Sequence, residues 1–254
     1  ITISLTVDGF DLSVGSVASL ANAIVISMFV WFSQNTFIAI FAAIAAALIV
    51  GAINSFMIVK LKIPDMLLTL AMMFIIQGIA LTYTKGATVS QNMVMADGTF
   101  AEGLISPLFA KIGQVPWIIL IMAAIVIATH VFLTYSKHGR YMYIIGGNQE
   151  AARLSGIPVN KYKTIAYLLS AVLAAIGGMV LASRVMTAEI NAGSPYLMDA
   201  VAAAFIGFSV LGAGKPNAFG TFVGAILIGI LSNGLVMMSV PYYAMDIVKG
   251  AVLA

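Results

Sequence analysis

Two aspartates three apart, Asp8 and Asp11, interrupt an apolar stretch, DGFDLSVGS, and are the first residues of the chain with chemistry to offer. A bare carboxylate at membrane depth is costly, so acids in such a setting face a cavity or a partner, or lie at the interface. Gly9 and Gly15 allow a break or close helix packing, and Asp11 or Ser13 is able to cap the helix that follows. Broken helices often flank translocation routes. A plain turn between two helices at headgroup level accounts for the same residues equally well. Asp8, Gly9, Asp11 and Gly15 are thus candidates for a break in a translocation pathway.

Elsewhere the reactive residues are scattered. GFSVLGAGKPNAFGT (207–221) suggests a phosphate loop, but Pro216 follows Lys215 where the Walker pattern needs Ser or Thr, and the glycine spacing fails. A tight turn between packed helices is the better account, with Gly220, Gly224 and Gly229 continuing a small-residue face. His130 sits late in an apolar run and His138 in a basic loop, neither with a partner at metal spacing. The patterns H-E-x-x-H and G-x-S-x-G do not occur, and the chain has no cysteine. Arg184, Glu189 and Asp199 are lone charges, while Asp246 and Lys249 stand three apart and are able to pair on one helix. The expectation from these residues is no catalytic site, no metal site and no cofactor.

The elements that position these residues follow from composition. Hydrophobic residues make up 62% of the 254 and charged ones 8%, with a mean hydropathy of +1.09. A soluble domain carries about 25% charged residues, so the chain reads as an integral membrane protein. Its net charge of +3 bears on topology and not on nucleic acid. A bilayer core of about 30 Å needs roughly 20 apolar helical residues. Spans are expected at 14–33, 36–59, 64–84, 116–135, 164–183, 217–237 and from 243 onward, with 1–7 the tail of a preceding helix. The run 199–213 is short and suits a half-helix or re-entrant segment. The fold expected is an all-α polytopic membrane protein forming one transmembrane domain over 1–254, cut at both ends, with broken or half-helices and about 8–10 transmembrane helices in the full chain.

Basic residues set the orientation. Loop 136–163 holds Lys137, Arg140, Arg153, Lys161 and Lys163, five of the twelve Lys and Arg, and is placed in the cytoplasm with Lys60 and Lys62. The loop 85–115, with Lys85, Asp97, Glu102 and Lys111, then lies outside, as does Arg184 to Tyr196. Lys215 falls inside and Pro241 outside if 199–213 crosses fully. Trp31, Phe32, Trp117 and the pair Tyr242–Tyr243 lie at external span ends and read as an interfacial belt. ALIVGAINSFMIVKLKIP (47–64) echoes AILIGILSNGLVMMSVP (225–241), each with an asparagine (Asn54, Asn233) before a proline-ended loop. Opposite orientation of the two suggests an inverted repeat.

Within the basic loop, Gly146 and Gly147 break the chain and Asn148 is a fair N-cap, with Glu150 at the positive end of the helix dipole. Gly156 and Pro158 stop the helix after about two turns. Ala151, Ala152, Ser155 and Gly156 are small enough to let another surface approach. GGNQEAARLSGIPVNKYK (146–163) resembles the cytoplasmic coupling loop of permeases in bacterial ABC importers, the ribose-type monosaccharide permease family. DGFDLSVGSVASL (8–20), KLKIPDMLLTLAMMFIIQGIALTYTKG (60–86) and YLMDAVAAAFIGFSVLGAGKPNAFGTFVGAILIGILSNGL (196–235) are similar to the same family in order. The resemblance implies a multi-pass inner-membrane permease for a small polar solute, most of all a monosaccharide, delivered by an external binding protein. It further implies a separate ATPase seated on Asn148, Glu150, Ala151, Ala152, Arg153, Ser155 and Gly156, and a second permease chain, identical or paralogous. The competing expectation, an ion-coupled secondary transporter, wants an acid, histidine or cation site at mid-membrane, and the spans offer few.

Overall fold

The computed structural model describes residues 1–95, 98–210 and 214–253; Asp97, Gly212 and the side chains of Tyr242 and Tyr243 lie outside the described residues. Among the described residues the elements are helices α1 (Thr2–Leu5), α2 (Val14–Val30), α3 (Thr36–Val59), α4 (Asp65–Thr84), α5 (Pro107–Ile112), α6 (Trp117–Tyr135), α7 (Lys137–Gly147), α8 (Gln149–Leu154), α9 (Val159–Val185), α10 (Ser194–Val210), α11 (Ala218–Met237) and α12 (Tyr242–Leu253). Two strands, β1 (Val89–Ser90) and β2 (Thr187–Ala188), pair antiparallel and tie the 85–115 loop to the end of α9. Helices α3, α4, α6, α9 and α11 are long and apolar enough to cross a bilayer.

The expected span 14–33 is shorter than predicted. Helix α2 ends at Val30 because the chain turns through Ser33, at φ +49°, before Asn35 caps α3 by accepting from the Ile38 amide at 2.9 Å. Helix α2 is enclosed on nearly every side, with 14 of its 17 residues buried. Val17, Val25, Ile26 and Phe29 are buried among α3, α4 and α9. By contrast α6 fully buries only Leu133 and leaves the rest of its apolar surface exposed or half-exposed, the pattern of a helix largely against lipid. Helices in lipid gain little from apolar burial against one another and associate through close packing. That packing is visible where Gly178 of α9 lies against the Ala18 carbonyl of α2, and where Gly51 of α3 would bring a Cβ to 2.9 Å from Ala171.

Helix α10 begins five residues before the expected 199. The 186–193 connection turns into the bundle, with Gly193 against Gly15 and its amide donating to Ser19 Oγ at 2.9 Å. Ala18 on that stretch of α2 meets α9 at Gly178, seven residues before Val185. At 1.5 Å per residue α10 therefore starts about 10 Å below the end of α9, as a half-helix would. It packs on α11 through Gly207 against Gly220 and Ala203 against Gly224. The expected small face is real there, but Gly229 meets open space and adds nothing to it. The Asp246–Lys249 pair does not form: Lys249 Nζ reaches Asp199 Oδ1 of α10 at 3.0 Å, and Asp246 is exposed. The two segments of the echo also differ in environment. Asn54 is buried and bonded to Ser13, whereas Asn233 is exposed.

Candidate coupling face and translocation pathway

The loop 136–163 folds as two short helices. Ser136 Oγ caps α7 by accepting from the Gly139 amide at 2.9 Å, and Asn148 Oδ1 caps α8 by accepting from the Ala151 amide at 2.9 Å. Helix α8 has six residues, with Glu150 in its first turn and Gly156 at φ +77° closing it in the left-handed region that glycine enters without strain.

The seven residues expected on this face separate into three groups. Ala152 is fully buried, packed with Ile3, Val7, Leu133, Met142, Ile145 and Tyr162, so it anchors the helix rather than presenting it. Asn148 is used in capping. Glu150, Ala151, Arg153, Ser155 and Gly156 are exposed. Sequence reasoning missed Leu154, which stands 86% exposed at the tip. It is marked in the sequence only as a leucine beside a charge. Sequence reasoning also missed the second wall. A groove of about 650 Å³ runs between α8 and the α3–α4 corner, with Lys62, Ile63 and Asp65 on one side and Glu150, Arg153 and Lys163 on the other. The elbow is fixed to the bundle at several points. Tyr143 donates to the Pro216 carbonyl at 2.6 Å in the α10–α11 connection, and burial pushes its phenol above the ordinary value, so it stays a donor. His138 Nδ1 meets the Tyr162 hydroxyl at 3.1 Å.

The break at 6–13 is a knot of hydrogen bonds. Asp11 is 2% exposed, and its carboxylate accepts from the Ser13 amide at 3.1 Å, Ser13 Oγ at 2.6 Å and Ser170 Oγ of α9 at 2.7 Å. Asn54 Nδ2 of α3 donates to Ser13 Oγ at 3.0 Å. Ser13 occupies the N-cap position of α2 but makes no side-chain cap, because its hydroxyl is turned to Asp11. Asp65, at the start of α4, accepts through Oδ2 from the Phe10 amide and the Tyr167 hydroxyl, each at 3.1 Å. Gly9 has no room for a side chain, since a Cβ would stand 2.7 Å from that hydroxyl. Asp8 is exposed at φ +56°. Of the four break candidates, Gly15 lines the large cavity of about 500 Å³ between α2, α9, α10 and α11, together with Thr2, Ser170, Arg184, Tyr196 and Thr221. Asp8, Gly9 and Asp11 do not line it.

The family model described as branched-chain amino acid transport system / permease component matches residues 1–254. The chain belongs to this permease family. Its relatives include the ribose import permease protein of Escherichia coli (strain K12), 36% identical over 99% of this chain and 77% of the relative. The ribose import permease protein of Bacillus subtilis (strain 168) is 34% identical over 99% of this chain and 76% of the relative. The xylose transport system permease protein of Haemophilus influenzae is 31% identical over 96% of this chain and 79% of the relative. No solved structure matches significantly. The permease is a multi-pass inner-membrane transport component. Among its described residues no group of three His, Cys, Asp or Glu is placed to hold a metal ion.

Proposed function

We propose that this permease is the membrane-spanning subunit of an ATP-driven importer for a monosaccharide, with residues 136–163 in the cytoplasm and 85–115 outside. The substrate class rests on the ribose and xylose relatives. An external binding protein delivers the solute, a separate ATPase supplies the energy, and a second permease chain completes the pathway.

One observation carries the coupling role. Helix α8 is held from behind by Ala152 and presents Leu154, flanked by Glu150 and Arg153, to whatever lies in front of it. A single exposed apolar tip on a rigid, capped helix suits seating in a cleft of a partner. The ATPase must bind two positions of this helix with different affinity, because equal affinity transmits nothing. Motion received at α8 passes to the α10–α11 connection through Tyr143 and to the break through the α3–α4 corner that carries Asp65.

The test is co-elution of the full chain with its candidate ATPase, before and after Leu154→Asp. The variant is expected to elute alone while retaining its unfolding temperature, since the side chain is already exposed. Undiminished co-elution of the variant, or a wild-type permease that imports without any ATPase, overturns the proposal. Ion-coupled transport finds little support: Asp11 is the one fully buried acid among the described residues, and serines already engage both its oxygens.

A further inference from the structure

Where the 186–193 connection dips into the bundle it leaves a second cavity of about 200 Å³, walled by Asn22 of α2, Thr187, Glu189 and Asn191 of the connection, and Tyr196 of α10. Asn22 is 1% exposed, and neither its Nδ2 nor its Oδ1 has a partner in the protein. An amide buried among membrane helices normally bonds across to a neighbour, as Asn54 does to Ser13. Leaving both halves of an amide unmade is costly, so Asn22 is better explained by what enters the cavity than by packing. Glu189 makes no ion pair among the described residues. Asn191 is steadied by Gln77, whose Nε2 donates to its Oδ1 at 2.6 Å.

The chemistry of the walls selects a class of solute. An amide and a carboxylate together accept from and donate to adjacent hydroxyls, and the Tyr196 ring offers a flat apolar wall for C–H groups. None of the lining residues is basic, so the cavity has no counter-charge for the carboxylate of an amino acid or for a phosphate. At about 30 Å³ per water, its volume equals a handful of waters or one small solute. Leu181 and Tyr196 line this cavity and the larger one alike, so the two adjoin.

We propose that this niche is a solute-binding station in the permease itself, holding one neutral polyhydroxylated solute through Asn22, Glu189 and Asn191 at the mouth of the larger cavity. The proposal rests on the importer reading above and deepens it, since it gives the membrane subunit its own recognition of the solute.

Two measurements test it on the full-length permease. The first is saturation-transfer NMR on the detergent-solubilised chain without its binding protein, with ribose, xylose and, as a size-matched compound lacking hydroxyls, L-proline. Transfer is expected to the sugars and not to proline, and is expected to fall at least about fivefold in Glu189→Gln and in Asn22→Leu, as a lost hydrogen bond to a charged or buried group implies. Glu189 is exposed, so its variant keeps the fold even if Asn22→Leu does not. The second is ATP-driven sugar uptake in proteoliposomes with the ATPase and saturating loaded binding protein, where both variants are expected to slow uptake about tenfold. If the wild type imports sugar while the variants match it in uptake and transfer, the niche proposal falls and the importer reading stands. If the wild type imports no sugar but shows transfer that the variants lose, the importer reading falls and the niche stands. Transfer to proline equal to that of the sugars also overturns the niche.

Discussion

Replacing Asp11 by Ala removes the centre of the knot that joins α2 to α3 and α9. The carboxylate accepts three hydrogen bonds, and Asp11 and Ser170 are both 2% exposed, so water cannot readily take its place. Hydrogen bonds within membrane bundles average about 0.6 kcal/mol, which sets a floor near 2 kcal/mol for three. Bonds to a charged acceptor are worth about 1.5–3 kcal/mol each in water-soluble proteins, but removing a buried charge returns part of that, so about 4 kcal/mol is a fair ceiling. At about 2–4 °C per kcal/mol for a domain of this size, Asp11→Ala lowers the unfolding temperature in detergent by about 4–16 °C. Asp8→Asn is the control: Asp8 is exposed at φ +56°, which asparagine tolerates, and the shift is expected within about 2 °C. A double-mutant cycle with Ser170→Ala is expected to show a coupling of about 1 kcal/mol. Equal shifts for Asp11→Ala and Asp8→Asn, or strict additivity in the cycle, would refute the reasoning.

Three further outcomes are expected. Because the chain has no cysteine, single cysteines at Glu102 and Arg153, both exposed, report topology directly. An impermeant maleimide labels the first in intact cells and the second only after lysis, and the opposite result inverts the assigned orientation. Gly178→Leu drives a side chain into the Ala18 carbonyl and costs about 3 kcal/mol or more, read as loss of the monodisperse peak on size-exclusion chromatography. Gly177→Ala, which meets nothing within 4 Å, leaves that peak unchanged. Asp199→Asn weakens the partly buried pair with Lys249 and lowers stability by about 1 kcal/mol. The exchange Asp199→Lys with Lys249→Asp restores most of it in the same thermal assay.

Membrane character, five of the spans, the capped helix after Asn148 and the family were legible in the chain itself. Each rests on local information: length and apolarity for a span, residue type at the cap for α8, and runs of similar residues in order for the resemblance. The depth at which α10 begins was only partly legible. Shortness of the 199–213 run pointed to a half-helix, but the inward turn of Gly193 onto Gly15 depends on two glycines 178 residues apart meeting.

The partners of the polar residues were decided by the tertiary structure alone. Sequence showed Asp11 as an acid in an apolar run; only packing gave it Ser170 of α9 in place of a cavity. Sequence offered Asp246 as the partner of Lys249, and the fold supplied Asp199. Nothing in the sequence sets Asn22 apart; α9 and α10 close around it without offering its amide a bond. The physical reason is the same throughout. Insertion into lipid is set by the summed apolarity of a segment, which is additive along the chain. The fate of a polar group in that medium depends on which other group comes within about 3 Å of it, and that is a property of helices brought together.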